Sequence, residues 1–147
     1  METTCLIVKP DGVGKKVAGE VLKRFENEGM KLVGMKMLYP GRETMEEFYA
    51  VHKGKHFFEP FINFASSGPI IVCAFEGDNA VSRTREIIGA TNSKEAAPGT
   101  LRNLYGTDNR RNLVHASDSA ENAAREIAFF FSKNELFDYD PDGWEDK

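Results

Sequence analysis

The chain has 147 residues, with 19 lysines and arginines against 23 aspartates and glutamates, a net charge of −4, 41% hydrophobic residues and 29% charged ones. These values describe a single soluble globular domain, read as residues 1–147, that is large enough to bury a substantial core. The acidic balance argues against a general nucleic-acid-binding surface, and no run approaches 18 apolar residues, so no membrane span is expected.

From the start, METTCLIVKPDG lacks the pattern of a secretory signal, and a cytoplasmic location is the expectation. Residues 3–8 (TTCLIV) predict a buried strand, and KPDGVGKK predicts a turn. VAGEVLKRFENEGM has helical spacing, with Val17, Val21, Leu22 and Phe25 on one face and Gly29 at its stop. KLVGMKMLYP alternates as a strand, RETMEEFYAVHK reads as a helix, and HFFEPFINFASSG is an aromatic-rich segment. PIIVCAFEG is the clearest strand, and DNAVSRTREIIGA a helix ending at Gly89. Residues 91–111 form a long polar loop, the kind that carries function in a compact domain. NLVH is a final strand and SAENAAREIAFFF a final helix, for which Ser117, Asp118 and Ser119 are cap candidates and Asp118 with Glu121 has capping-box spacing; an acidic tail follows. This alternation predicts an α/β (α+β) ferredoxin-like split βαβ sandwich: a four-stranded, mostly antiparallel sheet with helices packed on one face. Cys5 and Cys73 each sit inside an apolar run and read as buried free thiols.

Several residues are candidates for chemistry. KPDGVGKK follows a strand but fails the G-x-x-x-x-G-K-[ST] spacing of a phosphate loop. Lys9 ends an apolar strand directly before a Pro-Asp-Gly turn, where a lysine is held and can face an anion. His52 and His56 have metal-ligand spacing without the glutamate of H-E-x-x-H or a third ligand nearby, and read as surface histidines at a helix end. Phe57, Phe58, Phe61 and Phe64 read mostly as core, with one exposed ring able to stack on a base. Arg85, Thr91 and Arg102 flank or occupy the long loop and, with Lys9, would offer a triphosphate three positive charges and a hydroxyl.

His115 ends a strand immediately before the last helix. If that helix folds back along its strand, three strand residues (about 10 Å) match seven helical residues (about 10.5 Å), which brings Glu126 beside His115. A carboxylate on one ring nitrogen would fix the tautomer and free the other to attack. On this geometry, a nucleophilic or acid–base role and a satisfied core histidine are equally open.

NLVHASD resembles the active-site signature N-x-x-H-[GA]-S-D of the nucleoside diphosphate kinases, and VKPDG, YAVHKGKHFF, SGPIIVCAFEG, REIIGATN and PGTLR stand before it in that family's order and spacing. The resemblance runs nearly end to end. It implies a ping-pong reaction in which His115 takes the γ-phosphoryl of ATP or another nucleoside triphosphate and passes it to a nucleoside diphosphate. Mg²⁺ would arrive on the nucleotide phosphates rather than on a protein metal site. By the same resemblance Lys9 reaches the sugar hydroxyl and phosphate, Tyr49 stands beside the nucleophile, and Phe57 stacks on the base. Arg85, Thr91 and Arg102 bind phosphate, Asn112 binds the sugar, Ser117 and Glu126 position the histidine, and Asp118 meets the metal through water. The sequence departs from the family's commoner residues at His56, Ser93 and Ala116, none of which removes a chemical group.

The family assembles as hexamers or tetramers, and a homohexamer is the expectation because Pro98-Gly99 is kept in the assembly loop. The expected partners are nucleoside di- and triphosphates, with no membrane and no specific nucleic acid. Two other readings remain open at this stage. One is an idle nucleotide-binding regulatory module, which would predict loss of His115, Lys9 or an arginine. The other is a phosphohistidine donor to other proteins.

Overall fold

The computed structural model describes residues 1–146. Four strands, β1 (Glu2–Val8), β2 (Lys31–Leu38), β3 (Ile70–Gly77) and β4 (Val114–Ala116), form one sheet in the order β2-β3-β1-β4. All three neighbouring pairs are antiparallel. Between them lie α1 (Pro10–Gly14), α2 (Ala18–Asn27), α3 (Arg42–Phe48), α4 (Phe58–Ala65), α5 (Ala80–Ile88) and α6 (Leu101–Tyr105), and α7 (Ala120–Phe130) follows β4. This is the ferredoxin-like order expected from the sequence, with α3 and α4 inserted between β2 and β3.

The helices cover both faces of the sheet, which corrects the expectation of one covered face. Cys5 and Ile7 point into a core with Met45, Phe48, Ile62 and Ile127, so α3, α4 and α7 share that face. Leu6 and Val8 point the other way, into a core with Val21, Phe25, Ile87 and Leu101 from α2, α5 and α6. Burial on both sides is why β1 and β3 read as unbroken apolar runs rather than alternating ones. Cys5 and Cys73 are buried free thiols that fall into opposite cores.

The sequence boundaries shift where local signals are short. KPDGVGKK contains the single-turn helix α1, with Pro10 at its first position, where a missing N–H costs nothing. The helix expected over residues 42–53 stops at Phe48 and continues as a 3₁₀ turn, Ala50–His52. The aromatic segment is itself helical, burying Phe58, Ile62 and Ala65 on one side of α4. The loop of residues 91–111 holds a 3₁₀ turn, Ser93–Glu95, and α6, capped by Thr100 accepting from the Asn103 N–H. The Asp118–Glu121 capping box does not form. Ser119 is the N-cap and accepts from the Asn122 N–H, while Asp118 takes the Asn122 amide at 2.6 Å.

Candidate active site

β1 and β4 are paired so that Ile7 lies opposite His115, and Val8 opposite Val114. Chain continuation then sets Lys9 and Asn112 side by side at the same end of the sheet. Lys9 donates from Nζ to Asn112 Oδ1 at 2.7 Å and to the Arg110 carbonyl at 2.9 Å, which leaves one ammonium proton uncommitted. Its ammonium lies 5.6 Å and 5.4 Å from the ring centres of Phe61 and Phe64. Burial lowers the Lys9 pKa to about 8, against the opposing pull of the Asp11 charge.

At the junction of β4 and α7, His115 Nε2 lies 2.9 Å from Glu126 Oε1. The folded-back geometry expected from the sequence is what the chain adopts. Glu126 is ionised in this setting, so Nε2–H donates to it and Nδ1 is left without a protein partner. Ser117 Oγ donates to the same Glu126 oxygen at 2.8 Å and accepts from the Cys5 N–H at 3.3 Å, tying the carboxylate to β1. Arg125 Nη2 lies 3.6 Å from the other oxygen. Burial by itself would raise the Glu126 carboxyl, but the hydrogen bonds from His115 and Ser117 and the Arg125 charge hold it below the usual carboxylate range. The rings of Phe48 and Tyr49 meet the imidazole edge-on, with centres 5.4 Å and 5.7 Å away. Burial pushes the Tyr49 phenol well above its ordinary pKa, so its hydroxyl keeps its proton.

The loop expected to bind phosphate is anchored by Arg102. Its guanidinium donates to the carbonyls of Asn112 at 3.0 Å, Gly89 at 3.0 Å and Val114 at 2.8 Å. Lys9, Arg102 and Glu126 are each only 5% exposed, so three charged groups are held inside the protein by specific partners. Burial and the Arg85 charge lower the Arg102 pKa to about 10, which still leaves it cationic at neutral pH. Arg85 is exposed and reaches the Ala116 carbonyl only at 3.4 Å.

These groups face one cleft of about 550 Å³, lined by Lys9, Tyr49, Arg85, Thr91, Arg102, Asn112 and His115 among others. An adjoining hollow of about 520 Å³ shares His52, Phe61, Thr91 and Asn112 with it and adds Phe57 and residues 108–111. Ser117 lies behind Glu126, away from the cleft wall. Every other residue to which the family resemblance gave a role lines the cleft or the hollow, whereas His56, Phe58 and Phe64 line neither.

His52 was missed. It reads from the sequence as a helix-end surface histidine, yet it lines both hollows between Tyr49 and Phe57. Burial, Lys55 and His115 lower its pKa. Its spacing three residues after Tyr49 was the available signal, and that spacing is ambiguous where α3 gives way to a 3₁₀ turn. Phe61, set aside with the core aromatics, also lines both hollows. Among the described residues no group of three or more His, Cys, Asp or Glu side chains is arranged to hold a metal ion, and no helix is long and apolar enough to cross a membrane.

The family model described as nucleoside diphosphate kinase matches residues 2–136. The chain is 51% identical over 139 residues to the nucleoside diphosphate kinase of Pelotomaculum thermopropionicum, covering 95% of this chain and 93% of the relative. It is 50% identical over 140 residues to that of Carboxydothermus hydrogenoformans, covering 95% and 94%. Among solved structures, the Halobacterium salinarum nucleoside diphosphate kinase in complex with CDP aligns with a TM-score of 0.93 at 42% identity, over 96% of this chain and 94% of that one. The Aquifex aeolicus enzyme aligns with a TM-score of 0.91 at 45% identity, over 92% and 99%.

Proposed function

The chain belongs to the nucleoside diphosphate kinase family of phosphotransferases, and from that premise we propose that His115 carries the phosphoryl group, on Nδ1. The observation that carries this reading is the tie between His115 Nε2 and Glu126: it commits one ring nitrogen and turns the lone pair of the other into the cleft. In the first half-reaction Nδ1 attacks the γ-phosphorus. The Nδ1–P bond forms, the bond to the β–γ bridging oxygen breaks, and the nucleoside diphosphate leaves with that electron pair. As the imidazole becomes cationic, the ionised Glu126 stabilises it. In the second half-reaction a terminal oxygen of another nucleoside diphosphate attacks the same phosphorus and the N–P bond returns its electrons to the ring. Phosphoryl transfer of this kind rests on alignment and on charge stabilisation.

The remaining residues fall along the nucleotide from phosphate to base. Arg102 has two N–H groups beyond its three structural bonds, and with exposed Arg85 and the Thr91 hydroxyl it neutralises the phosphates. Lys9 and Asn112, already hydrogen-bonded to each other, meet the sugar hydroxyls and the transferring group. Tyr49 walls the imidazole. Half-buried Phe57 offers its ring to the base, and stacking reads no base edge, so many nucleotides are accepted. CDP bound to the Halobacterium salinarum relative fits this reading. Mg²⁺ enters with the nucleotide phosphates, and Asp118 on the cleft wall, its carboxyl held below its usual pKa chiefly by Asn122, is placed to meet it through water. The enzyme works as a cytoplasmic homo-oligomer, a hexamer by the kept Pro98-Gly99.

The test is direct. Incubation with γ-labelled ATP and Mg²⁺ is expected to leave an alkali-stable, acid-labile label on the protein, which a GDP chase moves to GTP. His115→Gln is expected to take no label and to lose essentially all transfer. A folded, nucleotide-binding wild type that takes no label would overturn the phosphohistidine route and favour the idle binding module.

A further inference from the structure

The reading above leaves one carboxylate beside the site without a task. Asp11 Oδ2 accepts from the Leu113 N–H at 2.9 Å, and Oδ1 is buried with no hydrogen-bond partner. Leu113 has φ +78, in the left-handed region that a leucine rarely occupies. Its carbonyl is held from the other side by the Lys9 N–H at 2.9 Å. The peptide groups on both sides of Leu113 are therefore gripped by consecutive parts of the Lys9-Pro10-Asp11-Gly12 turn. Gly12 makes the close approach possible: a Cβ there would lie 2.7 Å from Val8 Cγ1 and 3.1 Å from the Leu113 carbonyl oxygen.

Leu113 separates Asn112, which holds the Lys9 ammonium, from Val114 and His115. A turn in an unfavourable conformation at that point needs external restraint: Arg102 takes the flanking carbonyls of Asn112 and Val114, and the Asp11 carboxylate is the side chain that takes the Leu113 N–H itself. Its charge also acts on cationic Lys9, Arg102 and Arg111.

We propose that Asp11 is a positioning residue for phosphoryl transfer, holding the Leu113 turn so that Lys9 and Asn112 keep a fixed placement relative to His115. The inference rests on the phosphohistidine reading of the site. Asp11 touches no substrate in this account; it acts through Leu113 and Lys9. Misplacing a reacting group by about 1 Å costs on the order of 100-fold in rate, so releasing the turn should cost turnover more than nucleotide affinity. A structural first-turn aspartate would instead affect stability alone.

Full-length Asp11→Ala and Asp11→Asn separate these possibilities. Labelling of the wild type by γ-labelled ATP is confirmed first; a wild type that takes no label brings down the reading of the site, and this inference with it. Asp11→Ala is expected to stay folded by circular dichroism and to lose kcat on the order of 100-fold, with KM little changed. Asp11→Asn keeps an oxygen for the Leu113 amide and should recover most of that loss at neutral pH. It removes the negative charge, though, and the groups facing the Lys9 ammonium are then Arg102, Arg110 and Asp108. The protonated Lys9 is less favoured, so the alkaline limb of kcat/KM moves to lower pH. A labelled wild type alongside a folded Asp11→Ala that keeps wild-type kcat and pH profile, with only a lower Tm, would overturn the proposal. Should Asp11→Ala not fold, Asp11→Asn decides alone: a lowered alkaline limb supports the role, and an unmoved limb with wild-type kcat overturns it.

Discussion

At the inner end of the cleft, His115, Glu126, Lys9 and Arg102 are held by short hydrogen bonds among largely buried groups, whereas at its mouth Arg85 and Thr91 are exposed, and in the adjoining hollow Phe57 is half-buried and held by edge-on or tilted ring contacts with His52, His56 and Phe61. The difference suits the reaction proposed above. In that proposal the inner end presents one nitrogen lone pair to one phosphorus, and side chains fixed before substrate arrives would cost no reorganisation during transfer. The mouth would meet the variable part of many nucleotides, where an adaptable cation and a flat ring serve better than a rigid donor array. Burying charges at the inner end is tolerable because each has partners, and removing one partner there should do far more damage than removing a whole side chain at the mouth.

That contrast can be broken in several places. The largest effect is expected at Glu126→Gln, which keeps an acceptor for His115 but removes the charge that stabilises the developing imidazolium. Its kcat should fall on the order of 100-fold with KM nearly unchanged, as steady-state kinetics would show; a raised KM with kcat unchanged would mean that Glu126 serves binding. Next, Arg102→Ala should lose about 2–4 kcal/mol of stability in urea unfolding, because it takes a charged donor from the carbonyls of Asn112, Gly89 and Val114. Arg85→Ala, at the mouth, should change stability by less than about 0.5 kcal/mol while raising KM for nucleotides about tenfold, as expected for one lost charge-assisted bond. If Arg85→Ala destabilised the protein as much as Arg102→Ala, the division into a rigid end and an adaptable end would fail.

The smallest expected effect lies farther out. Ser93 begins the 3₁₀ turn in the loop of residues 91–111, its hydroxyl is buried without a partner among the described residues, and its N–H reaches the Asp108 carbonyl only at 3.4 Å. Ser93→Pro should stabilise the protein by about 0.4–1 kcal/mol by restricting the unfolded chain, seen as a small rise in Tm. A fall would mean that the proline ring collides with Gly106, against which Ser93 rests.

Much of this molecule was legible before any coordinates. The doubly buried β1 and β3 announce themselves as apolar runs, because a strand with helices on both faces has no polar side to show. Glu126 could be set beside His115 from the rises of strand and helix alone, since a helix folding back on its own strand leaves little freedom. The signature around His115 carried the family because its residue types are tied to one chemistry. Tertiary structure decided the rest. It placed helices on both sides of the sheet, a choice that the spacing of apolar residues within any one helix does not encode. It chose Ser119 among the three candidate caps of α7, Ser117, Asp118 and Ser119, because the cap depends on where β4 releases the chain. It brought His52 into the cleft through a 3₁₀ turn that periodicity reads as helix, and it drew Leu113 into a left-handed turn against Asp11, more than a hundred residues away in sequence. Periodicity and motif spacing are local properties that a chain carries wherever it goes; which buried charge meets which carbonyl exists only once the sheet has closed.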